Sequence, residues 1–463
     1  MLEVATWFIL GYFALLNFSY LMLNALSLGA LARSRQEKAL EELPQFFTGL
    51  EPGISILVPA YNEESTITAS ILSMFQLTYS DFEVVVINDG SRDKTLEVLK
   101  KEFALFPFPQ AQREGLVTKQ VMEIYRSARF PNLRVIDKEN GGKADSLNAG
   151  INAAMHPLFC CVDADSILAR DSLQLVVKPF LTHPETVASG GTVRVVNGCE
   201  VTDGFLTRVG LPTNILALFQ VVEYLRAFLF GRLGWSQLNA MLIISGAFGL
   251  FKTEVVTAVG GYRSNTIGED MELVVRIHRL LRERGKPYRI VFVPDPVCWT
   301  EAPEAWTTLR NQRVRWQRGL SESLSSHWRL MFSRHGGPPG WIAFPFMVLF
   351  EWLGPLVEVG GYLFMLIAYA SGAISWNAFA AFLFMAVGLG VLLSISGLLL
   401  EELSFHLYPR FWHVALLLLV VFAENLGYRQ LTTWWRLVGL FQWASRRESR
   451  WGEMRRKGLG QHG

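Results

Sequence analysis

One long apolar run places the first constraint on this chain. Residues 4–31 carry no charged side chain, and a helix of that length can cross the roughly 30 Å hydrocarbon core of a bilayer. The run is too long for the core of a signal peptide, and no small-residue cleavage site follows it. We therefore predict a retained transmembrane helix over residues 1–32. Arg33, Arg35 and Lys38 follow at once, which places the end of this helix in the cytoplasm.

Further apolar runs lie near the other end of the chain, at 341–370, 376–400 and about 412–440. Residues 33–340 mix charged and apolar positions, which predicts a cytosolic domain. We expect C-terminal transmembrane helices within 341–445 and a basic tail over 446–463. Residues 412–443 predict either two tilted crossings or one crossing and an amphipathic segment. The expected total is four or five spans, with the tail in the cytoplasm.

Composition fits this division and excludes other classes of protein. Hydrophobic residues make up 51% of the chain and charged residues 18%, which is too apolar for an ordinary soluble enzyme and too charged for a pure transporter. The net charge of +2 argues against a nucleic-acid partner. The cysteines show neither C-x-x-C pairing nor zinc spacing. Reduced thiols are therefore expected at Cys160, Cys161, Cys199 and Cys298.

The cytosolic region alternates between predicted strands and predicted helices. The strands are expected at 54–58, 82–87, 133–136, 158–162 and 187–196, and the first helices at 65–76, 94–103 and 143–154. This alternation predicts a mainly parallel, Rossmann-like α/β sheet covered by helices on both faces. Residues 104–131 are polar and are expected to be irregular.

Polar residues follow four of the predicted strands. These clusters are Tyr61-Asn62-Glu63, Asn88-Asp89-Gly90-Ser91, Gly141-Gly142-Lys143 and Asp163-Ala164-Asp165. Ligands of open α/β sheets bind at the carboxyl ends of the strands. The clusters therefore predict one binding site along that edge of the sheet.

Asp163 and Asp165 are the candidate metal ligands. Side chains two residues apart on an extended segment point the same way, so both carboxylates could reach one cation. Carboxylate oxygens suit Mg²⁺ or Mn²⁺. The alternative is a polar turn with an aspartate cap before a helix near Asp171.

The other clusters also allow two interpretations. Tyr61 and Glu63 fit a turn and a helix N-terminus, Asp89 fits a turn, and Lys143 fits a surface loop. As binding groups, Glu63 and Asp89 would accept hydrogen bonds from a base or ribose, and Tyr61 would pack on the base. Lys143 would meet a diphosphate. None of the clusters at the strand ends is a G-x-G-x-x-G or a P-loop motif, so the sequence supports neither a dinucleotide site nor a P-loop.

The second half of the cytosolic region is more apolar. The aromatic stretch 205–242 predicts either an amphipathic helix on the membrane or a helical insertion in the core. Gly268, Glu269 and Asp270 open a predicted helix, where the acids either cap the helix or make Asp270 a base at the floor of a pocket. A second interfacial helix is expected near 305–335, since it is basic and aromatic.

These features in combination resemble the family 2 glycosyltransferases. The similarity is greatest to the membrane-integrated processive synthases of cellulose, chitin, hyaluronan and poly-N-acetylglucosamine, and it covers about residues 54–320 plus the flanking membrane helices. The motifs stand in the family's order and spacing. They are Val58-Pro59-Ala60-Tyr61-Asn62-Glu63, Asn88-Asp89-Gly90-Ser91, Gly141-Gly142-Lys143, Asp163-Ala164-Asp165, Gly268-Glu269-Asp270 and Gln312-Arg313-Val314-Arg315-Trp316.

The resemblance implies a glycosyltransferase A-type domain with a UDP-sugar donor and bound Mg²⁺ or Mn²⁺. Asp163 and Asp165 would be the metal ligands, Asp165 the principal one. Asp270 would be the general base, although Gly268 stands where the family has Thr or Ser, which puts a hydroxyl contact in doubt. The implied donor-binding residues are Ala60, Tyr61, Glu63, Asp89, Lys143, Asp163 and Arg315. The implied acceptor-binding residues are Ser245, Gly246, Phe248, Gln312 and Trp316.

The expected activity is inverting transfer from a UDP-sugar, with UDP-N-acetylglucosamine favoured by resemblance, to a growing β-linked polysaccharide that is exported. The alternative is transfer of a single sugar to a lipid-linked acceptor. The expected partners are the donor, the glycan or lipid-linked acceptor and the lipid bilayer, with no nucleic acid, and envelope export subunits are left open. The expected location is the inner (plasma) membrane, multi-pass, with the catalytic domain in the cytoplasm.

Acidic residues in the C-terminal apolar runs need an explanation, because charges at membrane depth are costly. Glu351, Glu358 and Glu424 indicate either a polar path for the emerging glycan or ordinary interfacial positions. We favour the path for Glu358 and a bounding loop for Glu401 and Glu402.

Overall fold

The computed structural model describes residues 2–41, 51–109, 115–202, 204–408 and 410–446. The strands are β1 (Ile54–Ala60), β2 (Phe82–Asp89), β3 (Leu105–Pro107), β4 (Val121–Ser127), β5 (Leu133–Lys138), β6 (Leu158–Val162), β7 (Ile167–Leu168), β8 (Thr186–Val195), β9 (Glu200–Thr202), β10 (Phe205–Arg208), β11 (Phe248–Lys252) and β12 (Arg289–Thr300).

The helices of the sheet domain follow the order of the chain from α2 to α10, after the N-terminal helix α1 (Leu2–Glu41). They are α2 (Ile67–Met74), α3 (Thr95–Glu102), α4 (Lys143–Ala153), α5 (Ser172–Thr182), α6 (Ile215–Tyr224), α7 (Arg232–Gln237), α8 (Thr253–Ala258), α9 (Glu269–Glu283) and α10 (Trp306–Ser326). The C-terminal helices are α11 (Phe344–Phe346), α12 (Gly354–Ala370), α13 (Trp376–Leu383), α14 (Leu389–Phe405), α15 (Phe411–Ala423) and α16 (Arg429–Ala444), joined in places by π-helical turns.

Ten strands form one sheet in the order β3-β4-β5-β2-β1-β6-β11-β8-β12-β7. The four adjacent strands β5, β2, β1 and β6 are parallel, as predicted, and their carboxyl ends share one edge. Antiparallel pairing enters outside this block, at β4 on one side and at β11 on the other. The sheet is therefore mixed, with a parallel centre that carries the predicted polar clusters.

Both faces of the parallel strands are buried, which explains their unbroken apolar sequences. Along β1, Ile56 and Val58 pack into the core beneath α2, α3 and α5. Leu57 points to the opposite face, where α4, α8 and α9 complete a second core. That second core continues without interruption into side chains of α1 such as Phe13.

The prediction that residues 104–131 are irregular is wrong. β3 and β4 lie within this segment, and β4 pairs antiparallel with β5 from Val121 to Arg126. The sequence of β4 alternates polar and apolar residues only weakly, since Met122 is exposed while Ile124 is buried. The strand is held by its neighbour's backbone more than by an apolar face of its own.

In the described part of the chain, three helices are long and apolar enough to cross a membrane, or four if one bent pair is a single span. They comprise Leu2–Arg33, Trp376–Phe405 and Phe411–Ala444, and the pair Pro339–Trp352 with Gly354–Ala370 bends by 45°. These helices confirm the prediction of a membrane protein. The last of them breaks at Leu426 and Gly427, whose backbone angles are not helical.

Two further predictions concern Glu401 and the basic tail. Glu401, expected in a bounding loop, lies buried in α14, where its carboxylate accepts a hydrogen bond from Arg194 of β8 at 2.6 Å. The predicted basic tail lies beyond Arg446 almost entirely outside the described residues.

The segment 215–237 is a helical layer between the sheet and the apolar helices, which favours the core insertion over a helix lying on the membrane. α6 packs against β8 on one side and α15 on the other, and α7 packs against both β12 and α1. At the α7–α1 contact Gly234 touches the backbone of Leu23, because a Cβ atom at Gly234 would lie 2.7 Å from the Leu23 carbonyl oxygen. This layer joins the sheet domain to the N-terminal helix.

Gly234→Ala tests the contact between α7 and α1. The added methyl has no space, so we expect a loss of about 1–3 kcal/mol in stability and a lower melting temperature of the detergent-purified protein. Gly11→Ala is the matched control, because a Cβ atom there meets nothing within 4 Å and alanine favours a helix. Equal melting temperatures for the two variants would contradict the close packing.

Candidate active site

The loops that follow β1 and β2 are tied to each other by hydrogen bonds. The Asn62 backbone N–H donates to Ser91 Oγ at 3.1 Å, and Asn62 Oδ1 accepts from the Arg92 N–H at 2.8 Å. Asn62 has φ 56°, a left-handed conformation that asparagine tolerates. Next to it, the Tyr61 side chain is 39% exposed, while Ala60 is buried at the end of β1. The two predicted clusters therefore form one surface at the carboxyl edge of the sheet.

Asp89 is the anchor of the glycine loop that precedes α4. Its buried carboxylate accepts hydrogen bonds from the Gly141 N–H at 3.0 Å and the Gly142 N–H at 2.8 Å. Lys138 Nζ donates to the same carboxylate at 2.7 Å. Gly142 has φ 86°, which a glycine adopts without strain. The structure thus assigns Asp89 a loop-holding contact, and its predicted contact with a nucleotide stays a prediction.

Lys143 and Asp163 form an ion pair at the centre of the edge. Lys143 Nζ also donates to the Gly246 carbonyl oxygen at 3.1 Å. From the other side of the same residue, the Gly246 N–H donates to Asp270 Oδ2 at 3.1 Å. Residues from α4, β6, the loop before β11 and α9 are therefore joined in one chain of polar contacts, around a small cavity lined by Lys143, Gly246 and Asp270.

The charges in this cluster shift the pKa values of two groups. Burial by itself lowers the pKa of the Lys143 ammonium, but the nearby carboxylates of Asp163, Glu269 and Asp270 outweigh burial and leave that pKa above its ordinary value. Burial raises the pKa of the Glu269 carboxyl to about 7, with Lys143 opposing the rise and Asp270 adding to it. Lys143 is therefore a cation at neutral pH, and the Glu269 carboxyl is only partly ionised there.

The two predicted metal ligands are placed by a turn. β6 ends at Val162, and the Ser166 N–H donates to the Asp163 carbonyl oxygen at 3.0 Å, so the extended geometry assumed for these residues does not continue to Asp165. Asp165 is buried, and Asp163 is more exposed. Within the described ranges, no three His, Cys, Asp or Glu side chains converge to hold an ion. Two carboxylates fit a divalent cation that also binds phosphate oxygens and water.

The predicted acceptor residues do not all reach the cavity. Ser245 and Gly246 line it. Phe248 is 0% exposed and packs in the sheet core on the face covered by α2 and α5, because β11 begins there and pairs with Val162. This placement does not support a contact between the Phe248 side chain and an acceptor.

The residues predicted from 312 to 316 lie on α10. Gln312 is buried, while Trp316 is 38% exposed. The Arg313 guanidinium lies 4.4 Å from the centre of the Trp316 ring and donates to Glu223 Oε2 at 2.7 Å. A half-exposed indole held flat by a cation offers an apolar face on which a sugar ring can stack.

The sequence analysis did not predict how α10 is attached to the turn Thr266–Gly268, which directly precedes the acidic first residues of α9. Gly319 of α10 touches Gly268, since a Cβ atom on either residue would lie 2.9 Å from the backbone of the other. Glu322 of α10 accepts hydrogen bonds from Thr266 and from the backbone of Ile267. The only signal in the sequence is a single glycine inside a helix, which does not identify its partner.

Family comparison agrees with this arrangement. Residues 55–252 match the family described as glycosyl transferase family 2, and residues 158–424, more than half of the chain, match glycosyl transferase family group 2. The chain belongs to glycosyl transferase family group 2. The predicted family is thereby confirmed.

Relatives in this family include polysaccharide synthases. The chain is 32% identical over 275 residues to the poly-β-1,6-N-acetyl-D-glucosamine synthase of Staphylococcus aureus (strain COL), covering 59% of this chain and 55% of the relative. The synthase of Staphylococcus epidermidis is 30% identical over the same shares. The chain thus aligns with about half the length of these curated relatives.

A solved structure shares the fold. The mannosyltransferase from Pyrobaculum calidifontis, in complex with GDP-Man and Mn²⁺, superposes with a TM-score of 0.51 at 20% sequence identity. The superposition covers 89% of this chain and 99% of the mannosyltransferase. This likeness confirms the predicted glycosyltransferase A-type fold.

The raised pKa of Glu269 predicts a pH dependence of stability. The pKa of this carboxyl is about 7 in the folded protein, whereas in the unfolded chain the pKa has its ordinary value of 4.5. Stability relative to Glu269→Gln, which stays neutral, should therefore fall as the pH rises from about 5 to about 7 and then level off. Melting temperatures measured between these pH values test this, with the exposed Glu283→Gln on α9 as control. A constant difference between wild type and Glu269→Gln would contradict the raised pKa.

Proposed function

We propose that the protein is an inverting glycosyltransferase that moves a sugar from a UDP-sugar to a growing β-linked polysaccharide and couples synthesis to export. The observation that carries the proposal is the chain of contacts from Asp163 through Lys143 and Gly246 to Asp270. It places a cation suited to a diphosphate and a carboxylate suited to a proton in one cavity at the carboxyl edge of the sheet.

The donor would lie along the edge formed by the loops after β1, β2 and β6. Tyr61 is exposed enough to pack on the base, and Glu63 on the same loop would accept a hydrogen bond from base or ribose. Lys143 would exchange part of its contact with Asp163 for the diphosphate, because its three N–H donors can serve several oxygens. Arg315 on α10 would contact the diphosphate from the opposite side.

Asp163 and Asp165 would hold Mg²⁺ or Mn²⁺ together with the phosphates. The bound cation would offset the negative charge that the departing diphosphate gains. Support comes from the donor set of two carboxylates, which suits a substrate-bridged ion, and from Mn²⁺ beside GDP-Man in the mannosyltransferase of the same fold.

Asp270 would be the base in a single displacement. Its carboxylate takes the proton of the acceptor hydroxyl as that oxygen bonds to the anomeric carbon. The bond from the anomeric carbon to the diphosphate oxygen breaks at the same time, and its electron pair leaves with UDP. The Gly246 N–H holds Asp270 Oδ2 in place for this step. Burial raises the pKa of the neighbouring Glu269 carboxyl to about 7, so this group is only partly ionised at neutral pH, which weakens it as a nucleophile and favours inversion over a double displacement.

The acceptor would approach over α10 and the Ser245–Gly246 loop. Trp316 would stack a sugar ring, with its indole fixed by Arg313. Gln312 is buried, so it would act by shaping the α10 surface unless the helix moves. The alternative acceptor is a lipid-linked one that receives a single sugar, and the similarity to polysaccharide synthases argues for the growing glycan.

Export would use the polar groups among the C-terminal helices. Glu358 is buried in α12 and accepts from the Thr433 hydroxyl at 3.3 Å, and Arg436 donates to Glu351 at 2.7 Å. Such groups line wet or protein interiors at membrane depth. We propose a multi-pass protein of the plasma membrane with its catalytic domain in the cytoplasm and N-acetylglucosamine as the sugar, the unit in the names of the similar synthases.

Asp270→Asn tests the proposed base. The amide keeps the shape of the side chain and loses the proton acceptor, so we expect sugar transfer to fall at least about 100-fold while UDP affinity persists. UDP release from a UDP-sugar and UDP binding by calorimetry are the measurements. Asp81→Asn, an exposed change at the start of β2 on the opposite edge of the sheet, is the control. Loss of UDP binding together with transfer would show that Asp270 is structural.

Product analysis tests the polymerase and its donor. We expect purified protein with radiolabelled UDP-N-acetylglucosamine to make long β-linked chains before the donor is exhausted. Chelation of divalent cations should abolish the reaction, and Mn²⁺ or Mg²⁺ should restore it. Gel separation and linkage analysis give the readout, with other UDP-sugars in parallel. A single added sugar per acceptor would favour the lipid-linked alternative, and turnover that survives chelation would contradict the metal.

A further inference from the structure

The turn Thr266–Gly268, which lies just before Asp270, is bound by hydrogen bonds to α10. Glu322 Oε2 accepts a hydrogen bond from the Thr266 hydroxyl at 2.9 Å and another from the Ile267 N–H at 2.8 Å. Ser323 Oγ donates to the Gly268 carbonyl oxygen at 3.4 Å. Three consecutive residues before α9 thus depend on two consecutive residues of α10.

Thr266 stands at the centre of this attachment. Its hydroxyl donates to Glu322 and accepts from the Gly268 N–H at 3.3 Å. Gly268 itself offers α10 no side-chain contact. In this chain that position has no room for a side chain, because a Cβ atom at Gly268 would lie 2.9 Å from the backbone of Gly319. The hydroxyl two residues upstream is the group that faces α10 instead.

The attachment continues on the first turn of α9. Glu272 accepts a hydrogen bond from His327 Nε2 at 2.9 Å, just beyond the end of α10, and pairs with Arg276. Asp270 lies between the two anchored points, on the same turn. The direction of its side chain therefore follows from where α10 holds the turn and the start of the helix.

α10 is also bound to other helices on the face away from the turn Thr266–Gly268. Its position can therefore determine the position of this turn. Gln317 Nε2 donates to the carbonyl oxygens of Glu351 and Trp352 at 3.1 and 3.2 Å. Arg436 of α16 donates to Gln317 Oε1 at 3.0 Å. Gly439 of α16 touches α10 closely, since a Cβ atom there would lie 2.7 Å from the Val314 carbonyl oxygen. α16 and the segment with Glu351 and Trp352 therefore contact one face of α10, and the turn Thr266–Gly268 contacts the opposite face.

We propose that Glu322 is a positioning residue for Asp270, with Thr266 as the group through which it acts. Glu322 holds the turn so that the Asp270 carboxylate meets the acceptor hydroxyl, and α10 transmits the position of the membrane helices to that carboxylate. The inference rests on the proposed role of Asp270 as the base. The Oε2 atom of Glu322 accepts two hydrogen bonds from the turn, so Glu322 acts on the position of Asp270 through this turn.

The test uses the full-length protein with Glu322→Ala, Glu322→Gln and Thr266→Val. A shift of the base by about 1 Å costs on the order of 100-fold in rate. We therefore expect Glu322→Ala to lower kcat about 30–100-fold, with UDP affinity and the KM for the UDP-sugar within about twofold of wild type. Glu322→Gln keeps an oxygen acceptor without the charge, and should rescue part of the loss, to about 3–10-fold below wild type. Thr266→Val, which loses only the hydroxyl, should resemble Glu322→Gln.

The double variant Thr266→Val/Glu322→Gln separates positioning from independent damage. Both substitutions affect the Thr266–Glu322 hydrogen bond, and Glu322→Gln keeps an oxygen acceptor for the Ile267 N–H, so the double variant should lose no more kcat than the worse single variant. Glu283→Gln is the control. Glu283 is exposed on α9, and among the described residues its side chain accepts a hydrogen bond from Arg279 alone. This variant should match wild type. Melting temperatures identify any variant that fails to fold.

Unchanged kcat in Glu322→Gln and Thr266→Val would overturn the inference, even if Glu322→Ala fails to fold. Multiplying losses in the double variant would overturn it too, since the residues would then act separately. A parallel loss of UDP affinity and kcat in the folded variants would show a structural role only. Wild-type protein that binds UDP and transfers no sugar would instead overturn the proposed function, and the inference with it.

Discussion

The rest of the site depends on the contacts that the Lys143 ammonium group makes. It lies between Asp163 and the Gly246 carbonyl group, with Glu269 and Asp270 close enough to raise its pKa despite burial. Without that charge, several carboxyl groups would crowd one cavity and repel one another. With it, the tips of two strands and two helices are held together, and a phosphate-bearing ligand meets a cation already in place.

The second constraint is the continuity between the sheet and the membrane helices. One sheet face, with α4 and α9 on it, shares its core with α1, and the helical layer at 215–237 fills the space between them. Arg194 of β8 and Glu401 of α14 add a buried ion pair across the same boundary. A domain attached in this way cannot rotate freely against its membrane helices. The carboxyl edge of the sheet and the apolar helices therefore keep a defined position relative to each other.

Local pattern predicted the parallel centre of the sheet and the helix after each strand, because those strands are buried on both faces and read as apolar runs. It failed at β4, where the strand has no apolar face and pairing to β5 decides the structure. It also failed at Phe248, which sits beside the site in sequence but points into the core, since side chains alternate along β11. Asp163 and Asp165 follow β6 as predicted, but a turn and not a strand places them, and their joint binding of a metal stays a prediction.

By itself the sequence determined which residues stand at the ends of strands, which runs are apolar enough for a membrane, and which family the motifs resemble. Those properties are local or compositional, so a linear pattern carries them. Only the tertiary structure decided that Gly268 rests on Gly319, that Thr266 and Ile267 bind Glu322, and that Gly246 joins Lys143 to Asp270. Such contacts join residues 24 to 103 positions apart in several elements, and no period or propensity along the chain encodes which pairs will meet.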